Sequence, residues 1–339
     1  MSTPINLGLI GAGRIGRVHA ENIQRRMKDA RVILVADVNE DAARRCADDF
    51  GVKYAVQDHH LILGSPAIDA VVICSATHTH AQIICEAAAA GKHIFCEKPI
   101  DFNLTAIDEA LAAVAKAGVK LQIGFNRRFD ANFARVRQAL SSGEIGQPHL
   151  MHIISRDPGP PPLDYIKVSG GIFLDMTIHD FDMARFLMGC EVEEIFTAAA
   201  VLVDRQIGAA GDLDTALITL KFENGALGVI DNSRRAVYGY DQRVEVLGSD
   251  GGISTANLYP NCATISTAEG VRRDLPLHFF MDRYIDSYVN EMAAFVDAVR
   301  NDTPVPVGGI DGRVPVVMGL AARRSYDENR PVKLAEIAA

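Results

Sequence analysis

The sequence predicts an α/β fold in two domains: a doubly wound parallel sheet, then a second α/β domain with a large mixed, mostly antiparallel sheet. Three observations predict it. Strand-like apolar runs alternate with helical stretches from residue 5 to about 125. A glycine turn, Gly11-x-Gly13-x-x-Gly16, joins the first strand to the first helix. Beyond that region, consecutive strand-like runs are separated by short turns. The domains are expected over residues 1–125 and 126–339.

The first strand is the run Leu7 to Ile10, and the helical pattern begins after Gly16 with Val18, Ile23 and Met27. In such a turn the first glycine permits the bend and the second lets the backbone approach a pyrophosphate. The third lets helix and strand pack closely. The free N–H groups of the new helix then face the phosphates, so Gly11, Gly13, Arg14, Ile15 and Gly16 are expected at the cofactor. The second strand, Val32 to Ala36, ends at Asp37, 21 positions after Gly16. That spacing suits the acid that holds the adenosine ribose hydroxyls and favours NAD, because a 2′-phosphate would meet a carboxylate.

Residues 40–50 read as a helix, and Asp69 to Ser75 as a parallel strand buried on both faces. Ala81 to Ala90 is an alanine-rich helix stopped by Gly91. His93 to Cys96 is the next strand and runs into Glu97-Lys98-Pro99. Thr105 to Ala117 is helical, and Lys120 to Phe125 is a further strand. Ligands bind at the carboxyl ends of strands in this arrangement. Ser75, Thr77, His80, Glu97 and Lys98 are therefore placed with the cofactor.

The second domain begins with a helix, Phe129 to Ser142, and a strand, Pro148 to Ser155. A proline-rich loop follows from Asp157 to Pro162, then a helix from Gly170 to Met188. Strand-like runs come at 192–203, 214–222, 225–232 and 242–247. Met281 to Arg300 and Pro315 to Tyr326 are helical, and the last is expected to pack back on the first domain.

Composition excludes several classes. The 339 residues are 48% hydrophobic with a net charge of −9, and no basic run suits nucleic acid. No long uncharged span suits a membrane, and no leader-like segment precedes the first strand. The six cysteines are scattered without a C-x-x-C pair, so buried thiols in a reducing cytoplasm are expected. With no tryptophan, a sugar-stacking indole platform is impossible.

Three residues carry the expected chemistry. Lys98 follows a strand of the nucleotide domain at the nicotinamide edge, with Pro99 placed to make a tight bend. The alternative is a solvated lysine. Asp175 and His179 lie four apart, so on a helix they share one face. The aspartate then orients the histidine, and the histidine accepts a proton near neutral pH. The alternative is a helix-surface ion pair, with Asp182 and Arg185 on the next turn. A cleft between domains is expected to hold all three. His78-x-His80 has a metal-ligand spacing but no third ligand, so it is read as lining the cofactor loop and no metal is expected. Of Arg127 and Arg128, the first is assigned to the substrate or to aspartate partners and the second to the surface. Asp157, Tyr240 and Tyr288 are the other substrate candidates, with packing the competing role for the tyrosines.

Taken together, Gly11-Gly13-Gly16, Glu97-Lys98-Pro99 and Gly170-Gly171…Asp175-x-x-x-His179 resemble the Gfo/Idh/MocA oxidoreductases over nearly the whole chain. The segments Ser155-Arg156-Asp157-Pro158 and Tyr238-Gly239-Tyr240-Asp241 resemble members that oxidise a cyclic polyol such as myo-inositol. The resemblance implies a Rossmann domain, NAD as cofactor, a ring ketone as product, and Lys98, Asp175 and His179 as the catalytic set. It also implies that the open sheet of the second domain builds a homotetramer. Other expectations stay open: scyllo-inositol or another sugar as substrate, transient redox for glycoside cleavage, or a non-catalytic NAD-binding sensor.

Overall fold

The computed structural model describes residues 3–338. The chain forms two compact units. The first holds the chain up to Asn126 together with Asp286–Val314; the second holds Arg127–Ile285 and the chain from Pro315 on. The return to the first unit is thus made through Asp286–Val314, whereas the sequence assigned it to the last helix.

The first unit is a six-stranded parallel sheet of β1 (Ile5–Ile10), β2 (Ala30–Ala36), β3 (Tyr54–Val56), β4 (Ala70–Ile73), β5 (His93–Glu97) and β6 (Leu121–Gly124). The order is β3-β2-β1-β4-β5-β6, and every pairing is parallel. The chain therefore reverses its winding between β1 and β4, the switch point where open α/β sheets bind ligands. All four residues of β4 are buried, as a strand covered by helices on both faces must be. Leu7, Leu9, Val32, Val35, Val72 and Phe95 share one core with Met292, Phe295 and Val296 of the helix Ile285–Asn301. That shared core is why the chain returns: the apolar stripe of this helix completes the cover of the first sheet.

The second unit is built on a seven-stranded sheet. Its strands are β7 (Pro148–Arg156), β8 (Val192–Ala200), β9 (Thr215–Phe222), β10 (Leu227–Ser233), β11 (Asp241–Gly248) and β12 (Gly252–Ser254). A separate hairpin is formed by β13 (Thr264–Thr267) and β14 (Gly270–Arg273), and β15 (Val332–Lys333) closes the sheet edge. The order is β12-β11-β7-β10-β9-β8-β15. Only β7 and β10 pair in parallel; the other neighbours are antiparallel. The two-residue period is explicit in β9, where Ala216, Ile218, Leu220 and Phe222 are buried and Leu217, Thr219 and Lys221 are exposed. The helix Ile178–Met188 packs on β7. On the open face, Leu247, Leu150 and Leu227 lie side by side across β11, β7 and β10, each about half exposed.

Candidate active site

In the first unit the glycine turn shows three different constraints. Gly11 has φ +99°, and a Cβ there would lie 2.5 Å from the Cys74 carbonyl carbon. A Cβ on Gly16 would lie 2.0 Å from the Gly11 carbonyl oxygen. Gly13 is exposed, and a Cβ there would meet nothing within 4 Å. The first and third glycines are therefore required by the fold itself, and the second leaves room for a ligand. Gly13 also begins the helix Arg14–Arg26 without a side-chain cap, which suits an anion at that end. Arg14 is exposed beside it and Ile15 half-buried. The Asp37 carboxylate accepts from Ala12 N at 2.7 Å and from Asn39 N at 2.8 Å, so it is fixed against the turn. These features fit a dinucleotide: an open phosphate approach and an oriented acid at the end of β2.

The neighbouring strand ends are braced from below. Ser75 Oγ and Thr79 Oγ1 are 2.7 Å apart, and Thr77 is half-buried at the head of the same turn. His80 and Glu97, expected to face the cofactor, are turned into the domain. The His80 ring lies 2.9 Å from the Ser75 carbonyl and 2.8 Å from the Pro99 carbonyl, tying the end of β4 to the end of β5. Its burial lowers its pKa. Glu97 pairs with His19 at 2.7 Å, and Gly124 is a glycine where a Cβ would press within 3.0 Å of the Glu97 carboxyl. Glu291 completes this buried group; burial, then the charge of Glu97, raises its pKa well above the ordinary carboxylate value. Lys98 follows, half-buried, before a cis peptide bond to Pro99.

In the second unit, Asp175 and His179 do not share one continuous helix. Asp175 ends the helix Gly171–Asp175, and His179 stands in the first turn of Ile178–Met188. The break coincides with a contact to the sheet. Thr177 donates its hydroxyl to Asn232 Oδ1 on β10 at 2.6 Å, and its N–H reaches back five residues to the Ile172 carbonyl at 2.9 Å. Such a widened turn is typical of functional helices. One Asp175 oxygen accepts from Tyr165 Oη at 2.9 Å and the other from Arg234 Nη1 at 3.3 Å.

Arg127 is buried, and its role is to join elements: Nη1 donates to Asp180 Oδ1 at 2.5 Å and Nη2 to Tyr240 Oη at 3.4 Å. Asp180 also accepts from Asn232 Nδ2 at 2.8 Å, so helix and β10 are locked together. Arg128, assigned to the surface from sequence, instead grips Asp182 through two nitrogens at 2.9 and 2.6 Å. Arg185, read from sequence beside Asp182 on the helix surface, bonds Glu191 through Nη2 at 2.6 Å. Asp157 is half-buried beside this network. Burial, then the charge of Asp175, pushes its carboxyl up to about 7. Tyr240 is buried with its ring edge toward Tyr284, centroids 6.0 Å apart. Tyr288 belongs to the first unit, where its ring stands edge-on to His19 at 5.7 Å. For its ring, packing is the role the structure shows. Arg234, Asp212, Tyr165, Asn232 and Tyr284 were not singled out from the sequence. No short-range spacing marks them; the nearest signal is the Arg234-Arg235 pair just before Tyr238-Gly239-Tyr240-Asp241.

Two family models match the chain. One, an oxidoreductase family with an NAD-binding Rossmann fold, covers residues 5–125; the other, a GFO/IDH/MocA C-terminal domain, covers 133–254. The myo-inositol 2-dehydrogenase of Thermotoga maritima is 50% identical over 333 residues, spanning 98% of this chain and 99% of that protein. The inositol 2-dehydrogenase of Rhizobium meliloti is 47% identical, with 98% and 99% covered. A crystal structure of scyllo-inositol dehydrogenase from Lactobacillus casei, with bound NAD(H) and scyllo-inositol, superposes with a TM-score of 0.92. It is 29% identical and is covered over 98% of this chain and 100% of that one.

Proposed function

The chain belongs to the Gfo/Idh/MocA oxidoreductase family, and from that premise we infer that it oxidises a ring hydroxyl of myo-inositol to the ketone 2-keto-myo-inositol with NAD⁺. The observation that carries this reading is identity near one half, over almost the full length, with relatives named as inositol 2-dehydrogenases. The open Gly13 and the fixed Asp37 support the same cofactor.

The roles follow from the chemistry of the residues. His179 removes the proton from the reacting hydroxyl. Asp175, held between Tyr165 and Arg234, stabilises the imidazolium that forms. Lys98 hydrogen-bonds the reacting oxygen and stabilises its developing negative charge. Bound NAD⁺ supplies the acceptor for the hydride that leaves the same carbon. Asp157, with its carboxyl pushed up to about 7, donates to one ring hydroxyl in its protonated form and accepts from one in its ionised form. Arg127 holds Tyr240 at the substrate side and does not itself take part in proton transfer.

The test is a panel of polyols mixed with NAD⁺ and followed at the NADH absorbance band. Growth of the band with myo-inositol is expected. A faster rise with scyllo-inositol would move the substrate to that isomer, the second reading, which the similarity to a scyllo-inositol dehydrogenase favours. No signal with any polyol, despite NAD⁺ binding, would leave only a nucleotide sensor.

The leucine row on β11, β7 and β10 supports assembly through the open sheet face into a homo-oligomer, a tetramer by family resemblance. Leu150→Asp is expected to dissociate it in sedimentation velocity; an unchanged sedimentation coefficient would exclude this face. Among the described residues no helix is long and apolar enough to cross a membrane. The free cysteines, several of them buried, support a reducing cytoplasmic setting.

A further inference from the structure

Arg234 has almost no solvent exposure, yet its guanidinium serves two carboxylates. Nη1 donates to Asp175 Oδ2 at 3.3 Å, and Nη2 donates to Asp212 Oδ2 at 3.2 Å. Asp212 is itself fixed. Its Oδ1 accepts from Ile172 N at 2.9 Å, in the first turn of the short helix that ends at Asp175. Gly171 sits against it so closely that a Cβ would lie 2.7 Å from Asp212 Oδ1. The Arg234 backbone N–H bonds the Asp214 carbonyl at 2.8 Å. Asp212 and Arg234 therefore form one rigid bracket around both ends of the Gly171–Asp175 helix.

We propose that Arg234 is a positioning residue that sets how strongly Asp175 acts on His179: it fixes the Asp175 carboxylate and, because Asp212 shares the guanidinium, neutralises only part of its charge. This rests on the reading of Asp175 and His179 as the reacting pair. A carboxylate without this partner would hold a proton on the histidine too firmly for it to act as a base near neutral pH. A fully neutralised one would stabilise the imidazolium too little. The shared guanidinium gives an intermediate field. Other charged or titratable groups around Asp175 include Tyr165, on its Oδ1, and Asp157, which feels both Asp175 and Arg234. Asp180 and Arg127 also act on Asp157, and they form their own pair.

Three variants of the full chain test this through the pH dependence of kcat/KM. In Arg234→Met the acid limb is expected to move up by about one pH unit, as for a charge lost at contact distance. In Asp212→Asn the whole guanidinium turns on Asp175, and the limb is expected to move down. Asparagine keeps the Oδ1 acceptor for Ile172 N, so this variant retains the fold. Arg234→Lys keeps the charge and is expected to restore the limb toward wild type. A brace without electrostatic function would lower the rate equally at every pH in Arg234→Met and Asp212→Asn, and that result overturns the proposal. If Arg234→Met does not fold, Asp212→Asn decides alone: a downward shift supports it and an unmoved limb overturns it. His179→Ala separates the two levels. If that variant keeps the wild-type acid limb, the assignment of the base is wrong. If it abolishes the limb while the Arg234 and Asp212 variants leave theirs unmoved, only the role of Arg234 is lost.

Discussion

His179→Ala is expected to lower kcat for myo-inositol by about a hundred- to ten-thousand-fold, the usual contribution of a positioned general base. The NAD⁺ dissociation constant is expected to stay within about twofold, because the histidine is assigned to the reacting hydroxyl and not to the cofactor. The asymmetry follows from where the groups lie. The groups assigned to NAD⁺, from the Gly11–Gly16 turn and Asp37 to the strand ends carrying Ser75, Thr77 and Lys98, are all in the first unit. His179 is half-buried in the first turn of Ile178–Met188 in the second. Alanine there removes the proton acceptor but leaves the helix backbone intact, since alanine is the best helix former. The loss is also expected to shrink as pH rises, because hydroxide then competes as the base. Lys98→Ala should lose turnover on a similar scale without this recovery, as the oxygen it stabilises has no other donor assigned. Steady-state NADH absorbance gives kcat, and fluorescence titration gives NAD⁺ affinity. Near-normal turnover in His179→Ala would remove the histidine from the mechanism; a lost NAD⁺ affinity would show that it acts on the cofactor.

What could be read from the sequence was local. The turn glycines, Asp37 and the alternation of strands with helices are set by neighbours within about 20 residues, and the structure has them where the spacing puts them. The four-residue spacing of Asp175 and His179 reads as one continuous helix, but the structure divides it. Its apolar period runs unbroken, while the interruption coincides with the contact of Thr177 to Asn232, 55 residues away on β10. Arg234 was invisible for the same reason: its partner Asp175 is 59 residues distant and on another element. Arg128 looked like surface charge because arginine usually is. Only the fold supplies Asp182, 54 residues on, which makes it a buried link. The part of the site that binds by backbone shape is therefore written in short motifs. The part that tunes charge depends on contacts across the sheet.

Gly13→Ala is expected to fold as well as the parent protein and to bind NAD⁺ much more weakly. Gly13 has φ −71° and ψ −167°, an extended conformation open to any residue. A Cβ there meets nothing within 4 Å, so the fold raises no objection. Replacing glycine at a compatible site even stabilises, by about 0.4–1 kcal/mol, through the unfolded chain. The methyl, however, occupies the space that a pyrophosphate needs against the backbone. Overpacking of that kind costs about 1–3 kcal/mol, or roughly 5- to 150-fold in dissociation constant. Gly16→Ala should behave differently. Helix propensity favours alanine there by about 1 kcal/mol, yet its Cβ would lie 2.0 Å from the Gly11 carbonyl oxygen. The backbone must move, so both the melting temperature and NAD⁺ affinity are expected to fall. Differential scanning calorimetry and NAD⁺ titration on the two variants separate the cases. A Gly13→Ala protein with parental stability and parental affinity would mean that the phosphates do not approach this glycine. A Gly16→Ala protein with full stability would mean that helix and strand pack less closely here than the structure has them.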